Sequence, residues 1–364
     1  MLDPDSILAH PAPSGSGLPG SGLPGAATAH PLGSSRQGRP VLGYRFGRGR
    51  GHLSLIAGCH ADEPVGPAML DRLAAHLSRL PGDSPLLAKI SWWIVPHVNP
   101  DGEARNRTWT DGIFDHAVDS AADSAEIHLG RYLRLAVREL PGDDVEFGFP
   151  RGGDDGGARP ENRAVADFLR PGAPFALHAS FHGMAFAAGP WFLLERGWAD
   201  RTQALRERLR RRVRELGYRL HDVDRGGEKG FHRIDEGFTS RPDSGAMAAH
   251  FEALGDPVTA GLFRPSSMEF ARSLGGDPLT LVSEMPLFLV PGELYRGTRR
   301  FPQDLVTPPE IGELRAAAFG ADPDAVGSRA RELGVEPMPI VDQMRLQLEY
   351  LAAALDTVLP SSAG

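Results

Sequence analysis

Four side chains of this 364-residue sequence have the types and placing that metal-assisted hydrolysis needs. His60 stands three residues before Glu63, directly after an apolar run. On a turn or a first helical turn, residues three apart project the same way. One imidazole nitrogen and one carboxylate oxygen can then share a Zn²⁺. Taken alone, the pair reads instead as Glu63 favouring a helix dipole beside a surface histidine. A catalytic zinc also needs a third protein ligand and an open position. His178 and His182 are the candidates. Strand alternation puts them on one face, ~13 Å apart at ~3.3 Å per residue, so only one reaches a given metal. His182 lies at the strand's carboxyl end and is the choice, while His178 reads as a hydrogen-bonded interior histidine. Glu284 interrupts the apolar stretch 279–290. A carboxylate there is costly unless it is paired or used. It is either a general base beside a metal-bound water or a salt-bridged structural residue, and position alone leaves both open.

These residues share an address. Residues 52–58, 91–98, 175–181 and 279–283 are short apolar runs. They lead, in turn, into 59–63, into Asn99-Pro100-Asp101-Gly102, into His182-Gly183 and into Glu284. Continuous apolar runs fit strands buried on both faces, as in a parallel sheet. In open α/β sheets the ligand site lies beyond the carboxyl ends of the strands. Apolar residues at helical spacing predict helices over 64–80, 129–140, 161–169, 202–216 and 337–359. The alternation gives an α/β fold with a mixed, mostly parallel central sheet flanked by helices, its site at the C-terminal strand ends. Residues 10–35 are low in complexity, with the five residues 16–20 repeated at 21–25. Such a segment buries too little apolar surface to offset its backbone entropy, so structure is expected to begin near Arg39. The Gly-rich stretches 151–159 and 225–230 read as surface loops.

Composition removes several classes. Hydrophobic residues at 41% and charged residues at 24% exclude a wholly disordered or fibrous chain. A net charge of -8 argues against nucleic-acid binding through bulk charge. The run Arg206, Arg208, Arg210, Arg211, Arg212, Arg214 therefore reads as a solvated helix face. Cys59 is the sole cysteine, so no internal disulfide can form. No apolar run reaches the ~20 residues that span a bilayer. Residues 1–9 lack the basic start of a secretory signal. A cytoplasmic protein without membrane or nucleic-acid partners is the expectation.

The motifs, in their order, resemble the zinc metallocarboxypeptidase family in its carboxypeptidase A-like and murein peptide amidase-like branches. Gly38-Arg39-Pro40 with residues 55–64 resembles the family's opening and its His-x-x-Glu motif. Asn99-Pro100-Asp101-Gly102 is similar to its Asn-Pro-Asp-Gly turn, and Ser180-Phe181-His182 to its third-ligand strand. Ser266-Ser267-Met268-Glu269-Phe270 through residues 281–286 resembles the helix and strand that deliver a catalytic glutamate. The resemblance spans about residues 38–290. It implies a zinc-dependent hydrolase of peptide or amide bonds. One Zn²⁺ per chain would be held by His60, Glu63 and His182. Glu284 would activate the zinc-bound water and pass its proton to the leaving amine. Arg107, five residues after the turn, matches the arginine that steadies the oxyanion, with Arg105 as the neighbouring alternative.

The sequence also departs from the family. Members carry an Asn-Arg pair ahead of Phe-Pro to grip a terminal carboxylate. Here Glu146 and Phe147 stand in those places before Phe149-Pro150. An acidic Glu146 repels a carboxylate and suits a cationic group, unless Arg151, Arg159 or Arg163 substitutes. Two other readings stand beside the first. One is an N-acyl-amino-acid deacylase of the aspartoacylase or succinylglutamate desuccinylase type, which shares the His-x-x-Glu start. The other is a non-catalytic zinc-binding pseudopeptidase, motivated by the missing pair. The domain expectation is a flexible arm over 1–37, a catalytic domain over 38–300, and a helical extension over 301–364 packed on it.

Overall fold

A computed structural model describes residues 2–9, 29–114, 127–152, 155–292, 309–320 and 325–359. Its strands are β1 (Ala29–Ser34), β2 (Pro40–Phe46), β3 (Gly51–Ala57), β4 (Ile90–Val95), β5 (Leu177–Ala187), β6 (Trp191–Leu194), β7 (Arg233–Asp235), β8 (Phe238–Ser240), β9 (Leu279–Leu289) and β10 (Glu336–Pro337). The helices of the first half are α1 (Pro4–Leu8), α2 (Val65–Arg79), α3 (Pro85–Ala88), α4 (Pro100–Thr110), α5 (Leu129–Leu135) and α6 (Pro160–Leu169). Those of the second half are α7 (Gln203–Glu215), α8 (Ser244–Ala253), α9 (Pro257–Ala260), α10 (Ser267–Ser273), α11 (Pro309–Ala318), α12 (Ala325–Leu333) and α13 (Ile340–Val358).

The sheet runs β1-β2-β4-β3-β5-β9-β6-β8-β7, with β10 on β9. Its middle, β4-β3-β5-β9, is parallel throughout. These are the four apolar runs of the sequence. They are continuous because both faces are covered. On one face Leu53, Leu55, Leu177, Ala179 and Phe181 join Met69, Leu70 and Leu73 of α2 and Leu351 of α13 in the large core. On the other, Ile56, Trp93 and Val95 meet Val165 and Leu169 of α6 and Phe270 of α10. Antiparallel pairs flank the middle, with β2 on β4 and β6 on β9.

Two features set where the site forms. Along β5 the second face carries His178, Ser180 and His182, all buried, as period-two alternation requires. The register of β5 on β9 then places His182 beside Glu284. On the first face α2 comes unusually close to β5. A Cβ on Gly66 would stand 2.4 Å from the carbonyl oxygen of Phe181, so glycine is required there. This approach brings the residues just ahead of α2 to the end of β5.

The structure differs from the expected chain ends. The arm does not wait until Arg39 to take part. Leu2, Ile7 and Leu8 are buried in the large core, and Asp5 pairs with Arg345 of α13 at 2.9 Å. β1 is an edge strand of the sheet, paired antiparallel to β2. A short helix and a bulged edge strand leave little periodicity among the Gly and Pro residues, which is why the sequence concealed them. Residues 10–28 lie outside the described residues. At the other end Leu346, Leu348, Tyr350 and Leu355 of α13 lie in the large core. The arginines of α7 are not simply solvated either. Arg206 and Arg210 pair with Asp235, Arg208 with Glu349, and Arg214 with Glu236. No helix among the described residues is long and apolar enough to cross a membrane.

The burial of α1 has a measurable consequence. Ile7 is fully buried, so Ile7→Ala should destabilise the protein by about 2 kcal/mol, read as a lower denaturation midpoint. An unchanged midpoint would show that residues 2–9 do not pack as described.

Candidate metal centre

β3 ends at Ala57, and the chain that follows is braced by the Asn-Pro-Asp-Gly turn. The Val98 N–H donates to Ala57 O at 3.0 Å and the Asn99 N–H to Gly58 O at 3.2 Å. Asn99 caps α4, its Oδ1 accepting from the Gly102 N–H at 2.9 Å. Buried Asp101 accepts from Ser35 Oγ at 2.6 Å and from Arg39 Nη1 at 2.9 Å. A Cβ on Gly102 would lie 2.4 Å from the Cβ of Ala61. The turn is therefore packed against the loop that carries His60 and Glu63. Its residues position that loop.

At the end of this loop three side chains converge. His60 Nδ1 lies 3.1 Å from His182 Nδ1 and 3.0 Å from Glu63 Oε1. Glu63 Oε2 lies 2.9 Å from His182 Nδ1 and accepts from the Gly183 N–H at 3.2 Å. One donor atom from each residue falls within 4.8 Å of the others. His182 and Glu63 are buried and His60 is half-buried. Two imidazole nitrogens and a carboxylate turned toward one point form a donor set that suits zinc. The electrostatics agree. Burial and Arg138 press the His60 pKa down, yet Glu63 and Asp144 outweigh them and raise it to about 10. Burial also opposes a charged His182, but Glu146 and Glu63 raise its pKa above the usual range. The pocket thus favours positive charge at this point, and its residues fit a divalent cation.

Each imidazole is backed by a carboxylate on its far side. Asp144 Oδ1 lies 3.5 Å from His60 Nε2, and Glu146 Oε2 lies 3.2 Å from His182 Nε2. Ser180 Oγ shares that nitrogen at 2.8 Å. Behind the strand, Gln347 of α13 donates to the carbonyl of His182 at 3.2 Å and to Ser283 Oγ at 3.3 Å. Glu284, next to His182 across the strands, has its pKa pushed up to about 8 by burial and by the charge of Glu63. A carboxyl group in that range is poised to exchange protons near neutral pH.

A guanidinium also reaches the site, from Arg138. Its Nη1 donates to Glu63 Oε1 at 2.8 Å, and its Nη2 lies 2.9 Å from His60 Nδ1. Arg107 stands elsewhere, exposed on the last turn of α4. Arg105 pairs with Glu139. Arg138 lies beyond α5, far in sequence from the turn, and no local spacing marks it. His178 is fully buried, with Ser54 Oγ 2.7 Å from its Nδ1. Burial, with Arg241 nearby, lowers its pKa to about 3, so it is a neutral interior histidine. Glu146 does belong to the site, but behind His182 and only 4% exposed. Phe147 packs edge-on against Phe263, which stacks on Phe251. Of the arginines considered as substitutes, Arg159 pairs with Glu161 at 2.5 Å, and Arg151 donates to Phe263 O at 3.0 Å.

A search of curated proteins returned no match. Among solved structures, the chain is similar to bovine thrombin-activatable fibrinolysis inhibitor, with 13% identity, 91% of each chain covered and a TM-score of 0.44. It is also similar to a metallo-carboxypeptidase from Burkholderia cenocepacia, with 16% identity, 92% of this chain and 65% of that chain covered, and a TM-score of 0.44. A carboxypeptidase A from Helicoverpa armigera gives 14% identity, coverage of 90% and 70%, and a TM-score of 0.42. Residues 21–191 match the family model described as zinc carboxypeptidase. That segment contains His60, Glu63, the Asn-Pro-Asp-Gly turn and His182. Residues 21–191 thus carry the zinc carboxypeptidase match, and together with the His60, Glu63 and His182 cluster this identifies a zinc-dependent metallopeptidase.

Proposed function

We propose that His60, Glu63 and His182 hold one catalytic zinc and that Glu284 is the general base of amide hydrolysis. The observation that carries this is the convergence of the two Nδ1 atoms and the Glu63 carboxylate beside Glu284. Zinc, when bound, supplies Lewis acidity to water and to the scissile carbonyl. Glu284 takes the proton of the attacking water and returns it to the departing amine nitrogen. Its raised pKa supports both transfers, because the group holds and releases a proton near neutrality. Arg138 supplies positive charge where the tetrahedral oxyanion develops, and its contacts with Glu63 and His60 support this role over Arg107. The catalytic unit includes α13, since Gln347 holds the strand at His182. The cytoplasmic location expected from the sequence belongs to the same reading.

Glu284→Gln should keep its zinc and lose ~10²–10⁴-fold in kcat. Arg138→Ala should lose ~10²-fold or more in kcat, whereas Arg107→Ala should stay near wild type. Metal analysis beside steady-state kinetics checks these, and an active Glu284→Gln enzyme would remove the base from the account.

The substrate is a peptide or related amide, and the pocket supports a particular class. The place expected to grip a terminal carboxylate holds buried Glu146 and an aromatic wall of Phe147, Phe263 and Phe251. A site built to bind a carboxylate would reject an analogue lacking it by ~10⁴-fold or more. Here matched peptides with free and amidated C-termini should be cleaved with kcat/KM values within about tenfold of each other. A strong preference for the free acid would contradict the proposed substrate class.

A further inference from the structure

The loop carrying Asp144 also places Glu146 where no substrate chemistry uses it. Glu146 is a carboxylate sealed from solvent behind the second histidine of the triad, 4% exposed. Its Oε2 meets His182 Nε2 at 3.2 Å. Its Oε1 meets no nitrogen or oxygen donor among the described residues, and the buried Cys59 thiol is the other polar group beside the carboxylate. A buried carboxylate with so few partners is costly by itself. It persists where a positive charge stands within reach of its field. The line from Glu146 runs through the imidazole ring of His182 to Nδ1, and Nδ1 faces Glu63 and His60. Arg138 brings positive charge to His60 and Glu63 at that meeting point, and a metal ion on His182 Nδ1 would add the cation in line with Glu146.

We propose that Glu146 is a positioning residue for the metal, acting through His182. This rests on the reading that the triad binds zinc. The carboxylate takes the Nε2 hydrogen of His182, which leaves the Nδ1 lone pair directed at the metal. It also fixes the ring plane and raises the basicity of the ligand, as partners of metal-bound histidines do. Ser180 Oγ reaches the same nitrogen at 2.8 Å, but a carboxylate is the stronger acceptor. Asp144 stands in the matching place behind His60 at 3.5 Å. One loop thereby orients both imidazoles, and Glu146 has this task in place of any contact with substrate.

The test compares wild type, Glu146→Gln, Glu146→Ala and Ser180→Ala as full-length proteins. Zinc affinity is measured by competition with a chromophoric chelator, and the Co²⁺-loaded proteins are compared by their visible d–d spectra. The thermal transition of each metal-free protein reports folding separately. Glu146→Gln should weaken zinc binding ~10–100-fold and shift the Co²⁺ bands. Glu146→Ala should weaken it further, and Ser180→Ala less than either. A metal-free transition that moves while zinc affinity and Co²⁺ bands stay unchanged would overturn the proposal, because Glu146 would then serve folding alone. A larger loss in Ser180→Ala than in Glu146→Gln would also overturn it and assign the role to the serine. Failure of wild type to bind zinc or Co²⁺ at all would instead reject the triad itself.

Discussion

Everything in this molecule is arranged around one electrostatic difficulty. His60 Nδ1, His182 Nδ1 and the Glu63 carboxylate are held about 3 Å apart in a buried pocket. Such a cluster of lone pairs is repulsive unless protons, the Arg138 guanidinium or a metal cation offset it. The fold holds it together from several sides. The parallel pairing of β3 with β5 brings the two strand ends level, with Ala57 opposite Phe181. Gly66 lets α2 close on β5, and the Asn99–Gly102 turn braces the intervening loop. On the other side β9 supplies Glu284, and α13 fixes the backbone of His182 through Gln347. Remote packing is thus coupled to the spacing of three donor atoms.

Charge explains what surrounds the cluster. Asp62, Asp144, Glu146 and Glu284 add acidic groups to Glu63, and the Arg138 guanidinium reaches His60 and Glu63. The excess of carboxylates raises the histidine pKa values and favours a divalent cation. The same excess leaves little to attract a substrate carboxylate. This changes how the -8 net charge is understood. The bulk figure disfavoured nucleic acid, whereas local acidity at the strand ends is what shapes the chemistry.

The sequence revealed the centre of the fold better than its edges. The runs that became β3, β4, β5 and β9 were visible because parallel strands buried on both faces must be continuously apolar. His60, Glu63, His182 and Glu284 were visible because they follow or interrupt those runs. β1 and α1 were not visible, because an edge strand broken by Pro31 and Gly33 and a helix of five residues carry no lasting period. Arg138 was missed for another reason. It was sought near the Asn-Pro-Asp-Gly turn, but the guanidinium that arrives comes from beyond α5, and only tertiary structure brings it there. Glu146 was noticed as a misfit for carboxylate binding. Its actual neighbour, His182, lies 36 residues away and could not be read from the chain.

Two donor sets share His182, and they make the central claim open to one decisive observation. The first is His60, Glu63 and His182, and the second is Cys59, Glu146 and His182. X-ray absorption at the zinc edge of the loaded protein separates them. The account predicts a shell of nitrogen and oxygen at ~2.0–2.2 Å with outer scattering from two imidazoles and no sulfur. A sulfur scatterer at ~2.3 Å would place the metal on Cys59 and contradict the account.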